Sequence, residues 1–431
     1  MKHKNRSKVF KLLIISILLG ILIIFCSKKW YAWFGNPVEP SYSSSEAPVR
    51  IQLTPGNEGA LSRNVSWQCG DTLAASQLFI VKSTTTDTLT VPAEGKILRT
   101  QAGITVTYHS KLTGLPEGKY KYCVSTNGKS SAWYTFNLSV SDHFRFVYIG
   151  DIQDKIGGTA GKLFSSISQN EKDAAFWILG GDVVERPHDR YWNEYFTSMD
   201  SITETTPVIA CPGNHEYRKG LIGKLDERFI DTFSYLIDSQ NNGNAVFDTR
   251  YGNTAIITLD SNRDTWTLFS QRRWLKQALI KAQDAKWKIV VLHHPLYSVR
   301  GKFRHYLIRH LFDPLIREYG VDMVLQGHEH CYARMINKEK NNTFSTPVYL
   351  ISHASPKDYE ISYPNIYDRF GNGLRFYQIV EISSDTLMFK SYTETGELYD
   401  QLRIVKTNDN LQVTDMATDI PEHFVKNSQR M

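Results

Sequence analysis

This sequence has few cysteines, five in 431 residues, and no basic excess beyond its first 29 positions. Residues 1–29 carry seven basic side chains and no acid; subtracting them from the formal net charge of +6 leaves the remainder near −1. No basic surface for nucleic acid is implied, and no nucleic-acid partner is expected. Of the cysteines, Cys69 and Cys123 lie in strand-like runs where an exported chain could pair them. Side-chain parity opposes it: Cys69 shares a face with Trp67, whereas Cys123 alternates with Tyr122, the core-facing residue.

The N-terminus, "MKHKNRSKVFKLLIISILLGILIIFCSKKW", joins a basic region to an apolar run over residues 12–25. That run is short of the about 20 residues that span a bilayer, and it suits the apolar region of a signal peptide. No small-X-small cleavage site follows. Cys26 ends the run, behind Phe25 rather than the small residue that lipoprotein processing prefers. Three fates stay open: an uncleaved anchor, a lipidated Cys26, or cleavage elsewhere. Each puts the protein outside the cytoplasm, periplasmic or at the cell surface, with the N-terminal segment as its link to the membrane.

The length suits two domains with separate cores. Residues 1–30 read as signal peptide or anchor, and 31–48, with "GNPVEPSYSSSEAP", as a Pro/Ser-rich linker. Residues 49–140 show short alternating runs such as "RNVSWQC", "SQLFIVKS" and "KYKYCVST", rich in Val, Thr, Tyr and Trp, with no helical period. An all-β sandwich of about seven strands is expected there, with Trp67, Tyr120 and Tyr122 in its core. It holds no cluster of chemically useful residues and reads as a structural module. From 141 to 405, apolar strands such as "FRFVYIG", "WKIVVLHH" and "VDMVLQG" alternate with helical segments, which implies an α/β layered fold. One helix puts Trp274, Leu275, Ala278, Leu279 and Ala282 on one face, with Ser270 as its expected cap. Residues 406–431 read as a C-terminal tail.

Five polar clusters stand where apolar runs end. They are Gly150, Asp151 and Gln153; Gly181, Asp182 and Glu185; Gly213, Asn214, His215 and Glu216; His293 and His294; and Gly327, His328, Glu329 and His330. Ligands of open α/β sheets bind beyond the carboxyl ends of the strands, so segments distant in sequence can converge there. Carboxylates, an amide oxygen and imidazoles suit hard-to-borderline divalent or trivalent ions rather than haem or iron–sulfur clusters. Each cluster alone is a weak signal; five in one order are a specific one.

The constellation resembles the metallophosphoesterase (calcineurin-like) superfamily, with its Asp-X-(His/Gly), Gly-Asp, Gly-Asn-His-(Asp/Glu), strand-end His and Gly-His-X-His motifs. "VVLHHPLY" and "GHEHCYAR" look most like purple acid phosphatases, which also carry an N-terminal fibronectin type III-like sandwich. The likeness covers about residues 49–405. It implies a β-sandwich flanked by helices and a centre of two metal ions, drawn from Mn, Fe, Zn and Mg. Asp182 would bridge ions about 3.5 Å apart. Asp151 and His330 would hold the first, with Glu185 a ligand or an acceptor for coordinated water; Asn214, His293 and His328 would hold the second. A hydroxide shared by the ions would attack phosphorus in line, and His215 would protonate the leaving oxygen. The implied substrate is a small phosphomonoester. The alternatives are a phosphodiesterase of the same superfamily and a binding protein with a decayed site. His294 reads as a flanking residue.

Three departures stand out. Where the family has a further histidine after the strand-end ligand, this chain has Lys302, so Arg300, Lys302 or His305 would clamp phosphate, with Asn214 and His215 also meeting the ester. Gln153 replaces a glycine. Glu185 replaces the tyrosine whose phenolate colours the purple members.

Overall fold

The computed structural model describes residues 2–56, 58–220, 223–237, 245–339, 343–407 and 410–425. The apolar N-terminal run does not stop its helix at residue 25: α1 (Lys2–Phe34) continues through Lys28 and Lys29. Its stretch Lys11–Tyr31, 21 residues with none buried among the described side chains, is long and apolar enough to cross a membrane. The segment read as a linker is not free. Asn36 forms two 2.8 Å hydrogen bonds with the backbone of Lys219, and Glu39, 5% exposed, accepts from Arg228 Nη2 and from the Asp189 N–H, each at 2.7 Å. A carboxylate that deeply buried needs such donors.

Strand period governs the next third of the chain. β1 (Val49–Gly56), β2 (Gly59–Gln68), β3 (Ser76–Lys82), β4 (Thr88–Pro92), β5 (Glu94–Arg99), β6 (Ile104–Leu112), β7 (Gly118–Thr126), β8 (Lys129–Ser130) and β9 (Tyr134–Leu138) follow in order. They form two antiparallel sheets, β1-β2-β6-β5 and β4-β3-β7-β8, with β9 also on β7. These exceed the expected seven because β4, β5 and β8 are mostly exposed and carry little apolar alternation. Trp67, Cys69, Tyr108, Tyr120 and Tyr122 lie in one core, and the indole N–H of Trp67 donates to Thr126 Oγ1 at 2.9 Å. Cys69 and Cys123 are both free, as parity required. The sandwich is clamped to the α/β unit. Arg50 pairs with Asp189 at 2.6 Å, Lys96 with Asp231 at 2.8 Å, and the Tyr195 hydroxyl donates to Gln52 at 3.0 Å.

Beyond the sandwich come β10 (Phe144–Ile149), α2 (Ala160–Asn170), β11 (Trp177–Leu179), α3 (Asp189–Met199), α4 (Ile202–Thr205), β12 (Val208–Ala210), β13 (Tyr217–Arg218), β14 (Lys224–Leu225) and α5 (Glu227–Thr232). Next are β15 (Phe247–Tyr251), β16 (Thr254–Leu259), α6 (Thr265–Lys281), β17 (Trp287–Leu292), α7 (Tyr306–Glu318), β18 (Met323–Gln326), β19 (Tyr332–Lys338) and β20 (Phe344–Ile351). The chain ends with β21 (Arg369–Gly371), β22 (Phe376–Ile382), β23 (Thr386–Thr393), β24 (Leu398–Lys406) and β25 (Leu411–Asp415). Two seven-stranded sheets result, β12-β11-β10-β22-β23-β24-β25 and β15-β16-β17-β18-β20-β19-β21. In the first, β10, β11 and β12 are parallel, and in the second β16, β17, β18 and β20 are.

Alternation within each strand sorts the layers. Phe146, Tyr148, Ile289 and Val291 fill a core between the two sheets. Val147 and Ile149 turn outward onto α2 and α3, and Val290 and Leu292 onto α6 and α7. Strands buried on both faces read as continuous apolar runs, as these do.

Two expectations need correction here. Ser270 does not cap α6; Asp264 does, its carboxylate accepting from the N–H of Trp266 and Thr267, while Ser270 lies a turn inside the helix. Asp264 lies farther from the apolar stripe, so the periodic pattern began too late to reveal it. Nor is everything beyond 405 a tail. β25 is an edge strand on β24, and the fully buried Arg334 joins them by pairing with Asp400 at 2.6 Å and Asp415 at 2.9 Å.

Candidate metal centre

The carboxyl ends of the two sets of parallel strands face one spot. Asp151 follows β10, Asp182 follows β11, and Asn214 follows β12. His293 follows β17, while His328 and His330 follow β18. Asp151, Asp182, His328 and His330 all have positive φ, from 42° to 72°. For side chains other than glycine this costs about 1–3 kcal/mol each, a strain that gathers at functional sites. The neighbouring glycines permit the close approach. A Cβ on Gly213 would collide with Asp182 Oδ1, and one on Gly327 with Asp151 Oδ2.

Two donor groups share Asp182, and each could hold a metal ion: Asp182, His293 and His328; and Asp151, Asp182 and His330, with ligand atoms within 4.8 Å of one another in each. Asn214 completes the first, its Oδ1 lying 2.9 Å from His328 Nδ1 and 3.2 Å from His293 Nε2. In the second, His330 Nε2 is 3.5 Å from Asp151 Oδ1. Gln153 belongs there too, its Nε2 being 3.4 Å from Asp182 Oδ2 and 3.3 Å from His330 Nε2. Asp151 Oδ1 and Gln153 Oε1 are buried without a hydrogen-bond partner. Orphaned buried oxygens are costly, and beside the His330 imidazole and the Asp182 carboxylate they suit a cation.

The electrostatics agree at His328 and His330, and at His293 they show the pull of Asp182. Burial raises the Asp151 pKa, as does the charge of Asp182. Burial lowers His330 to about 3, and lowers His328 with help from His293, so both imidazoles are neutral and free to coordinate. Burial also acts to lower His293, but Asp182, whose Oδ2 is 3.3 Å from Nε2, outweighs it and pushes the ring up to about 10.

Carboxylates in two of the motifs serve as staples. Glu216 accepts from the backbone N–H groups of Gly213 (2.6 Å), Asp182 (3.0 Å), Val183 (2.8 Å) and Val184 (3.2 Å), tying the loop after β11 to the loop after β12. Glu329 takes Ser298 Oγ and the Val299 N–H, holding the loop after β17. His215 is held from both sides. Its N–H donates to Asp182 Oδ1 at 2.9 Å, and its Nδ1 lies 2.6 Å from the Glu185 carbonyl, which leaves Nε2 turned inward, 3.8 Å from Asp182 Oδ2.

Glu185, expected as a ligand of the first ion or an acceptor for coordinated water, is in neither donor group. Lys357 Nζ holds its carboxylate at 2.7 and 2.9 Å, an ion pair from a loop 172 residues away that no local pattern announces. The same loop supplies Tyr359, whose ring lies 4.5 Å from that of His330 and carries the Arg300 guanidinium 5.0 Å above its face. Arg300 is exposed and His305 half-buried; Lys302 is exposed and enters neither group. His305 and His294 pack beside His328, with ring centroids 5.3 and 4.2 Å away, and Ser261 Oγ lies 2.9 Å from His294 Nδ1. Lys357, Tyr359 and the stapling role of Glu216 escaped the sequence reading, although Glu216 lay inside a motif.

Residues 144–332 match the family model described as calcineurin-like phosphoesterase. Purple acid phosphatase 23 of Arabidopsis thaliana is 24% identical over 299 residues, 60% of this chain and 64% of that one. A purple acid phosphatase of Glycine max is 25% identical over 321 residues, 69% of this chain and 67% of that one. The chain therefore spans just under two thirds of the first relative. A solved structure described as PhoD matches with a TM-score of 0.62 at 11% identity, covering 90% of this chain and 96% of that one, a likeness of fold. Residues 144–332, the larger part of the α/β unit, thus carry the match to the calcineurin-like phosphoesterase family.

Proposed function

We propose that the chain is a two-metal phosphoesterase acting on phosphomonoesters outside the cytoplasm, attached to a membrane through α1. The observation that carries this reading is the buried Asp182 carboxylate, common to two donor groups at converging strand ends. Asp151, Asp182, His330 and Gln153 would hold one ion; Asp182, Asn214, His293 and His328 would hold the other. Bound there, the ions would supply positive charge against the phosphoryl oxygens and lower the pKa of water.

The chain's own residues do the rest. His215, its Nδ1 kept on the Glu185 carbonyl, presents Nε2 to the ester and donates the proton that the leaving oxygen needs. Arg300 and His305 flank the approach as phosphate contacts. The sandwich of β1 to β9 is read as the fibronectin type III-like module of the purple acid phosphatases, clamped to the catalytic unit rather than mobile. For α1, five basic residues precede the apolar run and two follow it, which favours a cytoplasmic N-terminus and an external domain.

Metal analysis and a panel of phosphate mono- and diesters on one preparation of the full chain test the reading. Two ions per chain and faster monoester hydrolysis are expected; preference for diesters would assign the alternative activity. Glu185→Gln is expected to leave both ions bound, because the carboxylate belongs to Lys357 and to neither donor group; loss of one ion would restore Glu185 as a ligand. The protein loaded with iron is expected to be free of a strong visible charge-transfer band. Tyr191 lies under Arg190 and the Tyr195 hydroxyl is spent on Gln52, so neither replaces the missing phenolate. A purple preparation would contradict this assignment.

A further inference from the structure

A cleft of about 800 Å³ adjoins the candidate centre, reached by Asn214 and His305 on one side. Lys219 and Arg263 add positive charge to its lining, and Phe303 and Tyr306 add aromatic surface. Phe303 is 81% exposed and Tyr306 54%. A phenylalanine that far from the protein stays in water unless an apolar surface meets it.

The anchor helix ends beside this cleft. Lys219, in the cleft wall, is held by both amide atoms of Asn36. Asn36 lies five residues beyond Tyr31, the end of the membrane-length stretch, which is at most about 18 Å of extended chain. The stretch closes on Lys28, Lys29, Trp30 and Tyr31, residue types that favour the membrane–water interface. Three residues past Asn36, the buried Glu39 is locked to Arg228 and to the Asp189 N–H. The exit of the helix is therefore fixed against the cleft rather than joined to it by a loose tether.

We propose that the cleft faces the outer leaflet and admits a membrane-borne amphiphilic phosphomonoester, its phosphate reaching the centre while its hydrocarbon part stays in the bilayer against Phe303 and Tyr306. The inference rests on the phosphoesterase reading and names the substrate class for that same site. In the reaction, the bond between phosphorus and the lipid oxygen breaks and a water oxygen bonds to phosphorus. One water proton goes to the lipid oxygen. The lipid alcohol remains in the bilayer and inorganic phosphate leaves into water. Basic side chains in the lining favour both the phosphate and an anionic lipid surface.

The test uses the full chain in phosphatidylcholine proteoliposomes doped with phosphatidic acid, against glycerol phosphate, the same head without its chains, in solution. Phosphatidic acid is expected to be hydrolysed with a kcat/KM about tenfold higher, since binding by the remote chains adds to the rate. Asn36→Ala, a positioning change remote from the chemistry, is expected to slow the lipid substrate several-fold while sparing glycerol phosphate. A second readout is independent of turnover. On a Cys26→Ser background, Phe303→Cys is expected to react with a membrane-impermeant maleimide about tenfold more slowly in proteoliposomes than in detergent. Asp173→Cys, before the amino end of β11, should react alike in both. Hydrolysis of glycerol phosphate without preference for phosphatidic acid, equal loss of both activities in Asn36→Ala, or equal labelling of Phe303→Cys overturns the inference and leaves the phosphoesterase reading standing. Hydrolysis of neither ester overturns both.

Discussion

Replacing Asp182 by alanine is expected to empty both metal positions and lower turnover by about three orders of magnitude, some 4 kcal/mol of transition-state stabilisation. The size of the effect follows from sharing. Asp182 is the one side chain common to both donor groups, so a single truncation removes a ligand from each. Its carboxylate is held ionised: burial acts to raise its pKa, but His293 and His215 outweigh that and lower it. Without that charge, His293 loses the partner that keeps it protonated in the metal-free protein, and the Asp151 carboxylate faces His330 alone. Metal analysis and kcat on the purified variant check the prediction. A variant that keeps two ions and near-normal turnover would sink the shared-ligand assignment.

Glu216→Ala is expected to destabilise the protein by about 4 kcal/mol, because truncation leaves four buried backbone N–H groups without an acceptor. The melting temperature should fall by about 10 °C. Burial and the nearby Asp182 charge push Glu216 up to about 8, while the amide donors pull the other way. The stapling thus holds an acceptor where Asp182 alone would repel it. Glu216→Gln keeps one acceptor oxygen but turns an NH2 toward the same donors, so an intermediate loss is expected. Thermal melts of the three proteins, with metal content measured alongside, test the point. A Glu216→Ala protein that melts with the wild type and holds two ions would show that the loops after β11 and β12 need no staple.

Much of the centre was legible in the order of residues. Asp151, Asp182, Asn214, His293, His328 and His330 each end an apolar run, and a strand buried on both faces makes such a run whatever its neighbours are. Trp67 and Cys69 were assigned to the sandwich core, and Cys123 off it, by side-chain period alone. What was not legible depended on partners far away. Glu185 read as a ligand or an acceptor for coordinated water, with nothing to announce its ion pair with Lys357, and the Pro/Ser-rich residues before the sandwich read as a linker, with nothing to announce that Glu39 meets Arg228, 189 positions on. Ser270 failed for a local reason, since an exposed N-terminal turn extends a helix beyond its apolar stripe.

What the sequence determined by itself is therefore what short-range geometry encodes. The two-residue period of the strands, the helical stripe of α6 and the glycines that let strands end tightly depend on bonded neighbours, and so they are visible in the order of residues. What only the tertiary structure decided is which polar groups are spent on one another. Buried charges must find partners, and they find them by proximity in space, which periodicity does not record. That requirement made Glu216 a staple and locked Glu39 to Arg228, while proximity alone set Lys357 against Glu185, Gln153 beside Asp182 and His330, and the exposed Asn36 on Lys219.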